Sequence, residues 1–378
     1  MKVSCLQENL AKGLSLVSRA VAARSTLPVL GNILLATDNG QLRLSATNLE
    51  LGITCWIGAK IEEEGSITVP AKTFVDLVNT LPQEQVNLDL TARTQTLNLT
   101  CGRTQAHIKG IDSQEFPLIP SLDRDAAIEL NVEDFREMIS QVTFAAATDE
   151  ARPILTGVLA RIEGGVLKLE AADGFRLAVR KGHLSSAPSA SVNAVIPARA
   201  LAELGRLITA DEPVHMSLPP GRGQVIFRHD SVELVSQLIE GAFPDLTAVI
   251  PKNYTTRTVL STDAFRKACR TSDIFAREAA HTARIKVKPG TDLIPGHVSI
   301  SATSAETGDN VAEIDATVEG IPVEIAFNVK YLVDVLNVLP TQNVALETSQ
   351  ATSPGVIKPV GPGDENYLYV CMPMHLGK

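Results

Sequence analysis

Hydrophobic and polar positions along this chain follow a pattern that recurs three times. In each copy a β-like run passes into a helical run with apolar residues three and four positions apart. The copies read ITVPAKTFVDLVNTLP, AVIPARALAELGRLIT and IAFNVKYLVDVLNVLP, and they align on Phe74, Leu201 and Leu332. The period that these positions define is longer than that of a solenoid repeat and is typical of a small domain, so we predict one domain repeated three times.

A second helical pattern predicts that each repeat opens with an amphipathic helix. In the first repeat one apolar stripe consists of Leu6, Leu10, Leu14, Val17 and Val21. Leu10 aligns with Phe135 and Phe265, at nearly the same period as the first pattern. Asn131 and Ser261 stand before the second and third of these helices, and their side-chain oxygens suit the free amide groups of a helix start.

Turn signals divide β-rich runs between the two helices of each repeat. Asn-Gly at 39–40 and Gly-Gly at 164–165 predict hairpins, and residues 289–296 predict a longer turn in the third repeat. Pro70 and Pro197 predict the first turn of the second helix, where a missing N–H is no loss. Further strands close each repeat. The predicted fold class is therefore α+β, with two helices per repeat packed on antiparallel sheets.

Similar phrases close the first two repeats, EFPLIP and AFPDLTAVIP, and they place the domain boundaries. We predict domains at 1–122, 123–251 and 252–378. A length of 378 residues accommodates such a division, and 44% hydrophobic residues can fill three cores.

Composition narrows the function classes. There is no apolar run of the length that a membrane span needs, and MKVSCLQENL lacks the features of a signal peptide, so we expect a cytoplasmic protein. Five scattered cysteines without a CxxC pair argue against a disulfide framework and a zinc site. No nucleophile-elbow, zinc-protease or phosphate-loop motif occurs, so we predict no catalytic residue, metal or cofactor. In an enzyme, Asp173 and Arg176 would be the candidates.

Six phrases resemble the bacterial sliding clamps, the beta subunits of the DNA polymerase III holoenzyme. They are RSTLPVLGN (24–32), TVPAKTF (68–74), AADGFRLA (171–178), FPD (243–245), FNVKYLVDVLN (327–337) and MPMHL (372–376). The resemblance covers the whole chain. It implies a non-catalytic processivity factor: a head-to-tail homodimer that forms a six-domain ring around duplex DNA and acts at the nucleoid. Implied partners are double-stranded DNA, the clamp loader, the replicative polymerase alpha subunit, other polymerases, ligase and mismatch-repair proteins.

A net charge of −9 is compatible with a DNA partner, because a ring retains DNA by topology and needs few phosphate contacts. Twelve helices spaced about 9 Å apart would enclose a hole roughly 34 Å wide, which exceeds a duplex on the order of 20 Å. Basic residues recur on or beside the repeated helices, and the DNA-binding candidates are Arg24, Lys12, Lys72, Arg136, Arg199 and Arg266. The family uses the loop arginine that Arg24 matches to touch DNA. For any single one of these residues, a solvated helix face remains the alternative.

The resemblance also implies a hydrophobic cleft that binds short motifs of partner proteins. Its residues would be Leu155, Ala172, Gly174, Phe175, Arg176, Leu177, Pro244, Val249, Val370, Met372, Pro373, Met374, His375 and Leu376. The chain departs from the family at Phe175, where histidine is usual, and at His375, where arginine is usual. Gly377 and Lys378 extend past the usual final leucine. We therefore expect an altered peptide preference, and an ordinary strand after a turn at Asp173 remains the alternative.

For the ring joint, the resemblance implies that an edge strand of the first domain pairs with an edge strand of the third. The interface candidates are Arg103, Ala106, Ile108, Ile274, Phe275 and Glu306. Pairing would remove two unpaired strand edges, which otherwise invite aggregation. Ordinary exposed strands in a monomeric peptide-binding adaptor remain the alternative, and the size of the protein in solution discriminates between them.

Overall fold

The computed structural model describes residues 1–123, 127–149, 151–184, 191–209, 212–291 and 294–375. Within these ranges the chain forms helices and antiparallel strands in three successive repeats, so the predicted α+β fold class is confirmed. The chain divides into two compact units, which we call the first unit (1–133 with 200–238) and the second unit (134–199 with 239–378).

The first repeat contains helices α1 and α2 and strands β1 to β9. Their bounds are α1 (Gln7–Val17), α2 (Ala71–Thr80), β1 (Lys2–Leu6), β2 (Asn32–Asp38), β3 (Gln41–Thr47), β4 (Leu51–Gly58), β5 (Lys60–Glu63), β6 (Ser66–Pro70), β7 (Gln85–Thr91), β8 (Thr96–Cys101) and β9 (Thr104–Lys109). Leu10, Leu14 and Val17 form the buried face of α1, as the periodicity predicts. The prediction that Leu6 belongs to the apolar stripe of this helix is wrong. Leu6 ends β1, which pairs with β5 and β7, and its side chain is half-exposed.

The second repeat contains helices α3 and α4 and strands β10 to β17. Their bounds are α3 (Val132–Val142), α4 (Ala198–Leu207), β10 (Ile128–Leu130), β11 (Gly157–Glu163), β12 (Val166–Ala172), β13 (Arg176–His183), β14 (Val192–Pro197), β15 (Val214–Ser217), β16 (Gln224–His229) and β17 (Val232–Gln237). Pro197 is the last residue of β14, and Pro70 is likewise the last residue of β6. Both prolines therefore precede the helix instead of lying in its first turn, which corrects the prediction.

The third repeat contains helices α5 and α6 and strands β18 to β25. Their bounds are α5 (Thr262–Ala276), α6 (Val329–Val338), β18 (Thr256–Ser261), β19 (Thr282–Lys288), β20 (Gly296–Ser304), β21 (Gly308–Gly320), β22 (Val323–Asn328), β23 (Asn343–Thr348), β24 (Gly355–Val360) and β25 (Tyr367–Cys371). Ser261 caps α5 as predicted, since its hydroxyl accepts the Ala264 N–H. In all three repeats a strand precedes the first helix, so the prediction that each repeat opens with a helix is wrong.

Both predicted tight hairpins are present. Asn39 and Gly40 have φ angles of 49° and 77°, and Gly164 and Gly165 have φ angles of 57° and 80°. Two successive positive φ angles fit the right-handed twist of the flanking strands, which explains the Asn-Gly and Gly-Gly pairs at these turns. The hairpins connect β2 to β3 and β11 to β12.

Where the structure describes the first unit, it contains two sheets. One has the order β5-β1-β7-β8-β9, and the other has the order β10-β15-β16-β17-β4-β3-β2-β6. The second of these sheets joins repeats one and two, because β17 pairs with β4. Among the described strands β9 pairs only with β8, so its other edge carries no ladder partner.

The described residues of the second unit form one continuous sheet of 12 strands, in the order β14-β11-β12-β13-β25-β24-β23-β18-β21-β20-β19-β22. It joins repeats two and three through β13 and β25, in a register that places Leu177 opposite Val370. Within β21, residues 317–320 pair with β18, whereas residues 308–316 pair only with β20 among the described strands. The first part of β21 therefore also presents an open edge.

Candidate functional site

An apolar cluster forms where β13 meets β25 in the second unit. Its buried members are Ala172, Leu177, Val179, Val356 and Val370, and Leu246, Ile250 and Leu368 pack against it. Three predicted cleft residues, Ala172, Leu177 and Val370, thus lie together. The sequence analysis missed Val179, although it lies two positions after Leu177 and so points to the same face of β13. It missed Val356 because only the pairing of β24 with β25 brings that residue near.

The turn before β13 fixes how the next residues are presented. The Asp173 Oδ1 atom accepts the N–H groups of Phe175 and Arg176, at 2.8 and 3.0 Å. Gly174 has a φ of 94°, which favours glycine, and a Cβ atom there would lie 2.9 Å from the Arg152 guanidinium. In this turn the Phe175 side chain is 55% exposed. The family usually has histidine at this position.

The segment after β25 is held beside this turn by main-chain hydrogen bonds. The Met372 N–H donates to the Phe175 carbonyl and the Met374 N–H donates to the Ala326 carbonyl, both at 2.8 Å. Met372, Pro373 and Met374 are half-buried, and His375 is exposed. Leu376 lies outside the described residues. The predicted methionine wall therefore borders Phe175 and keeps part of its apolar surface accessible.

Two further predicted cleft residues lie on the segment that leads into the third repeat. Pro244 is exposed and Val249 is 37% exposed, while Leu246 between them packs against the apolar cluster. Asp245 fixes this segment, because its Oδ1 atom accepts both the N–H and the hydroxyl of Thr247. These hydrogen bonds lower the pKa of Asp245 below its usual value.

Leu155 is buried and is not a member of the apolar cluster among the described residues. Arg152 lies near Leu155 and was not among the predicted cleft residues. The Arg152 Nη2 atom donates to the Asp173 carbonyl at 2.9 Å, while most of the side chain remains exposed. An exposed cation therefore stands at the rim, next to the Asp173 turn.

Arg176 binds its own chain instead of pointing to solvent. Its Nε atom donates to Asp173 at 3.0 Å, and its Nη1 atom donates to Asp334 on α6 at 2.6 Å. The guanidinium also lies 4.4 Å from the centre of the Tyr331 ring, close enough for a cation–π contact. Burial opposes its charge, yet Tyr369 and the two carboxylates raise the pKa of Arg176 above its ordinary value. This residue therefore links repeats two and three through its contact with Asp334.

Five of the six DNA-binding candidates are exposed or half-exposed on the surface. Lys12 lies on α1, Lys72 on α2, Arg136 on α3 and Arg199 on α4, and Arg24 lies in the loop between α1 and β2. Arg266 lies on α5. It is half-buried, and it pairs with Asp263, which also pairs with Lys267 at 2.7 Å. Arg266 thus shares one carboxylate with Lys267 within α5.

The joint candidates lie at the two open strand edges or near them. Arg103 is exposed in the turn before β9, and Ala106 is half-buried within that strand. Ile108 is only 6% exposed, because it faces Leu97 across the ladder and packs in its own core, so it offers little surface to a partner.

On the third repeat, Ile274 near the end of α5 is 55% exposed and Phe275 is half-buried. Glu306 is exposed in the turn between β20 and β21. The structure therefore places an exposed apolar side chain, Ile274, in the repeat that carries the open edge of β21.

All five cysteines are buried and unpaired in disulfides. Burial raises the pKa of Cys5 to about 12, of Cys55 to about 11 and of Cys371 to about 12. Within the described ranges no helix has the length and hydropathy to cross a membrane. The same residues contain no group of three or more histidine, cysteine or acidic side chains arranged to hold a metal ion.

Comparison with known proteins gives a consistent result over the whole length. The family profiles of the DNA polymerase III beta subunit match in order: the N-terminal domain at residues 1–120, the central domain at 129–245 and the C-terminal domain at 247–375. The chain is 33% identical over 365 residues to the beta sliding clamp of Staphylococcus aureus, an alignment that covers 94% of each chain.

Solved structures agree with the sequence comparison. The DNA polymerase sliding clamp of Bacillus subtilis superposes with a TM-score of 0.93 at 29% identity, and 100% of each chain is covered. A sliding clamp of Pseudomonas aeruginosa bound to griselimycin superposes with a TM-score of 0.90, also at 29% identity and with 100% of each chain covered.

Proposed function

Because the chain belongs to the DNA polymerase III beta subunit family, the beta sliding clamps, we propose that it encircles duplex DNA as a head-to-tail dimer. It is a processivity factor and a non-catalytic subunit of the polymerase. We further propose domains at 1–122, 123–251 and 252–378. Its place of action would be the chromosome, in the cytoplasm at the nucleoid.

The pair of open strand edges is the observation that supports the proposed ring most directly. One edge is β9 in the first repeat, and the other is residues 308–316 of β21 in the third repeat. Unlike edges on one chain can pair head to tail, and such a contact closes into a ring when the rotation allows it. Two joints of this kind would leave neither edge exposed in a dimer, which removes the aggregation hazard of an open strand.

Basic residues at the surface of helices in the first two repeats support contact with duplex DNA. Lys12, Lys72, Arg136 and Arg199 would approach phosphates, and Arg24 would do so from its loop. The excess of acidic residues elsewhere keeps this attraction weak, which suits a protein that must slide. Retention would then depend on the closed ring instead of on affinity.

The apolar cluster around Leu177 supports docking of short peptide motifs. Half-buried Met372 and Met374 provide adaptable apolar surface, and Phe175 provides an aromatic rim. A partner motif would insert a large apolar anchor here. By this route the clamp would engage the clamp loader, the replicative polymerase alpha subunit, other polymerases, ligase and mismatch-repair proteins.

Retention on circular DNA tests the proposed ring. The protein is loaded onto nicked circular plasmid with a clamp loader and ATP and then isolated by gel filtration. We expect it to remain on the circle and to be released when a restriction enzyme linearises the plasmid. Equal retention on circular and linear DNA would show binding by affinity and would contradict the ring.

A further inference from the structure

A cavity of about 240 Å³ lies in the first unit, apart from the surfaces discussed above. Residues of β2, β3 and β4 form one side of it, and the segment 113–121, which follows the first repeat's last strand, forms the other. This volume accommodates one bulky side chain with its neighbouring backbone, although it lies just below the roughly 300–1,000 Å³ of pockets for drug-sized ligands.

The cavity has one cationic group and no carboxylate among its described lining residues. Arg43 supplies the cation, and its Nη1 atom is 3.6 Å from Asp38, longer than a good charge-assisted hydrogen bond. Its Nε atom is buried and has no hydrogen-bond partner among the described residues. A buried donor without an acceptor is costly. A ligand would instead meet the outer N–H groups of the guanidinium, since the Arg43 side chain as a whole is 36% exposed.

Four hydroxyl groups of the lining bond to one another in two pairs. Ser45 and Thr54 hydroxyl oxygens are 3.0 Å apart, and the Ser66 hydroxyl donates to Ser113 at 2.7 Å. This polar part of the wall is therefore already organised. Apart from the 3.6 Å contact with Asp38, the guanidinium beside it keeps hydrogen-bonding capacity for a ligand.

The opposite wall is apolar and partly uncovered. Phe116 is buried and Ile119 packs against its cluster, while Leu118 between them is 100% exposed. A lone exposed leucine is common on protein surfaces. Here, however, Leu118 borders a cavity that has the Arg43 cation on its other side. A ligand for this cavity therefore needs an apolar group next to an anionic group.

We propose that this cavity is a docking site for a short peptide segment that carries a carboxylate next to a bulky apolar side chain. The carboxylate binds the Arg43 guanidinium, and the apolar side chain is covered by Leu118 and Phe116. The site is independent of the apolar cluster around Leu177, because it uses no residue of the second unit.

The protein contains a built-in reporter for this site. Trp56 is the only tryptophan of the chain, and its indole N–H donates to Asp38 Oδ2 at 2.8 Å. The same oxygen is the one that faces Arg43. A ligand carboxylate at Arg43 competes with Asp38, and the resulting change around the indole alters its emission.

The test is a fluorescence titration of the full chain with the tryptophan-free probe acetyl-Leu-Asp-Leu-amide. Its matched neutral control is acetyl-Leu-Asn-Leu-amide. We expect a saturable change in Trp56 emission with the acidic probe and at least about tenfold weaker binding of the neutral one, as loss of a charge-assisted hydrogen bond implies. No saturable response to the acidic probe, or equal affinity for the two, would overturn the proposal.

Three variants assign the response to the cavity. Arg43→Met should weaken binding at least about tenfold, and Arg43→Lys should retain much of it, since the charge remains. Arg93→Met, which removes an exposed arginine outside the cavity, should bind as the wild type does. Unchanged binding by Arg43→Met would overturn the site. So would loss of the response on deletion of residues 372–378, because the probe would then occupy the surface around Leu177.

Discussion

A single arginine shows how a sequence phrase can identify a residue without identifying its contacts. Arg176 lies in AADGFRLA, and the resemblance places it in the lining of the peptide cleft. In the structure it forms ion pairs with Asp173, in the turn just before it, and with Asp334, on a helix of the third repeat. The distant partner cannot be identified from sequence spacing, so the internal role of Arg176 emerged only from the fold.

Replacing this arginine should reduce stability. In Arg176→Met the carboxylates of Asp173 and Asp334 lose their cation in a largely buried place, and we expect a loss of about 3 kcal/mol in the free energy of unfolding of the second unit. Thermal and denaturant unfolding measure the change. Arg199→Met, at an exposed position, is the control and should unfold like the wild type. Identical transitions for both variants would mean that the Arg176 cluster contributes little.

At the scale of elements, local patterns located most helices and hairpins, and long-range pairing decided the exceptions. The periodicity found α1, and the turn dipeptides found both tight hairpins. Leu6 continues the helical stripe, yet it belongs to β1, because β1 pairs with β7 at the far end of the same repeat. The open edges of β9 and β21 depend likewise on which strands find partners, so the stretches around 103–108 and 306–313 were located by family resemblance alone.

The segment after β25 offers a direct test of the peptide cleft. Deleting residues 372–378 leaves β25 complete, since that strand ends at Cys371, but removes Met372 and Met374. Each large apolar contact is worth about 1.5–3 kcal/mol, so we expect binding of the polymerase's clamp-binding peptide to fall below detection in titration calorimetry. The dimer should persist.

The matched control for this deletion is Ile321→Ala. This residue is also apolar and 58% exposed in the third repeat, but it lies outside the apolar cluster. It should bind the peptide with wild-type affinity. If the truncated protein did so too, the peptide site would have to lie elsewhere and the methionines would serve only the core.

At the scale of the whole molecule, the proposed function depends on the proposed dimer. Replacing Ile274 and Phe275 with aspartate should place uncompensated charge in the proposed joint and weaken dimerisation by at least about 100-fold, the equivalent of roughly 3 kcal/mol. Analytical ultracentrifugation should then detect folded monomers near 40.4 kDa. Circular dichroism checks the fold, because Phe275 is half-buried.

Ile321→Asp is the control for that variant, because it adds a charge at an equally exposed apolar position of the same repeat. It should remain dimeric. A double variant that still sediments as a dimer would move the joint away from α5. A wild-type chain that sediments as a monomer would favour an adaptor over a ring.

The burial of every cysteine has a practical consequence for observing such a ring at work. A thiol reacts as its thiolate, and burial keeps these side chains both protonated at neutral pH and out of reach of reagents. The native cysteines should therefore react little in maleimide labelling and in oxidative cross-linking. A single cysteine substituted for Arg24 would carry a dye that reports only from that loop. A pair of cysteines, one at each open edge, could form a disulfide that holds the proposed ring closed, and native thiols would not compete for it.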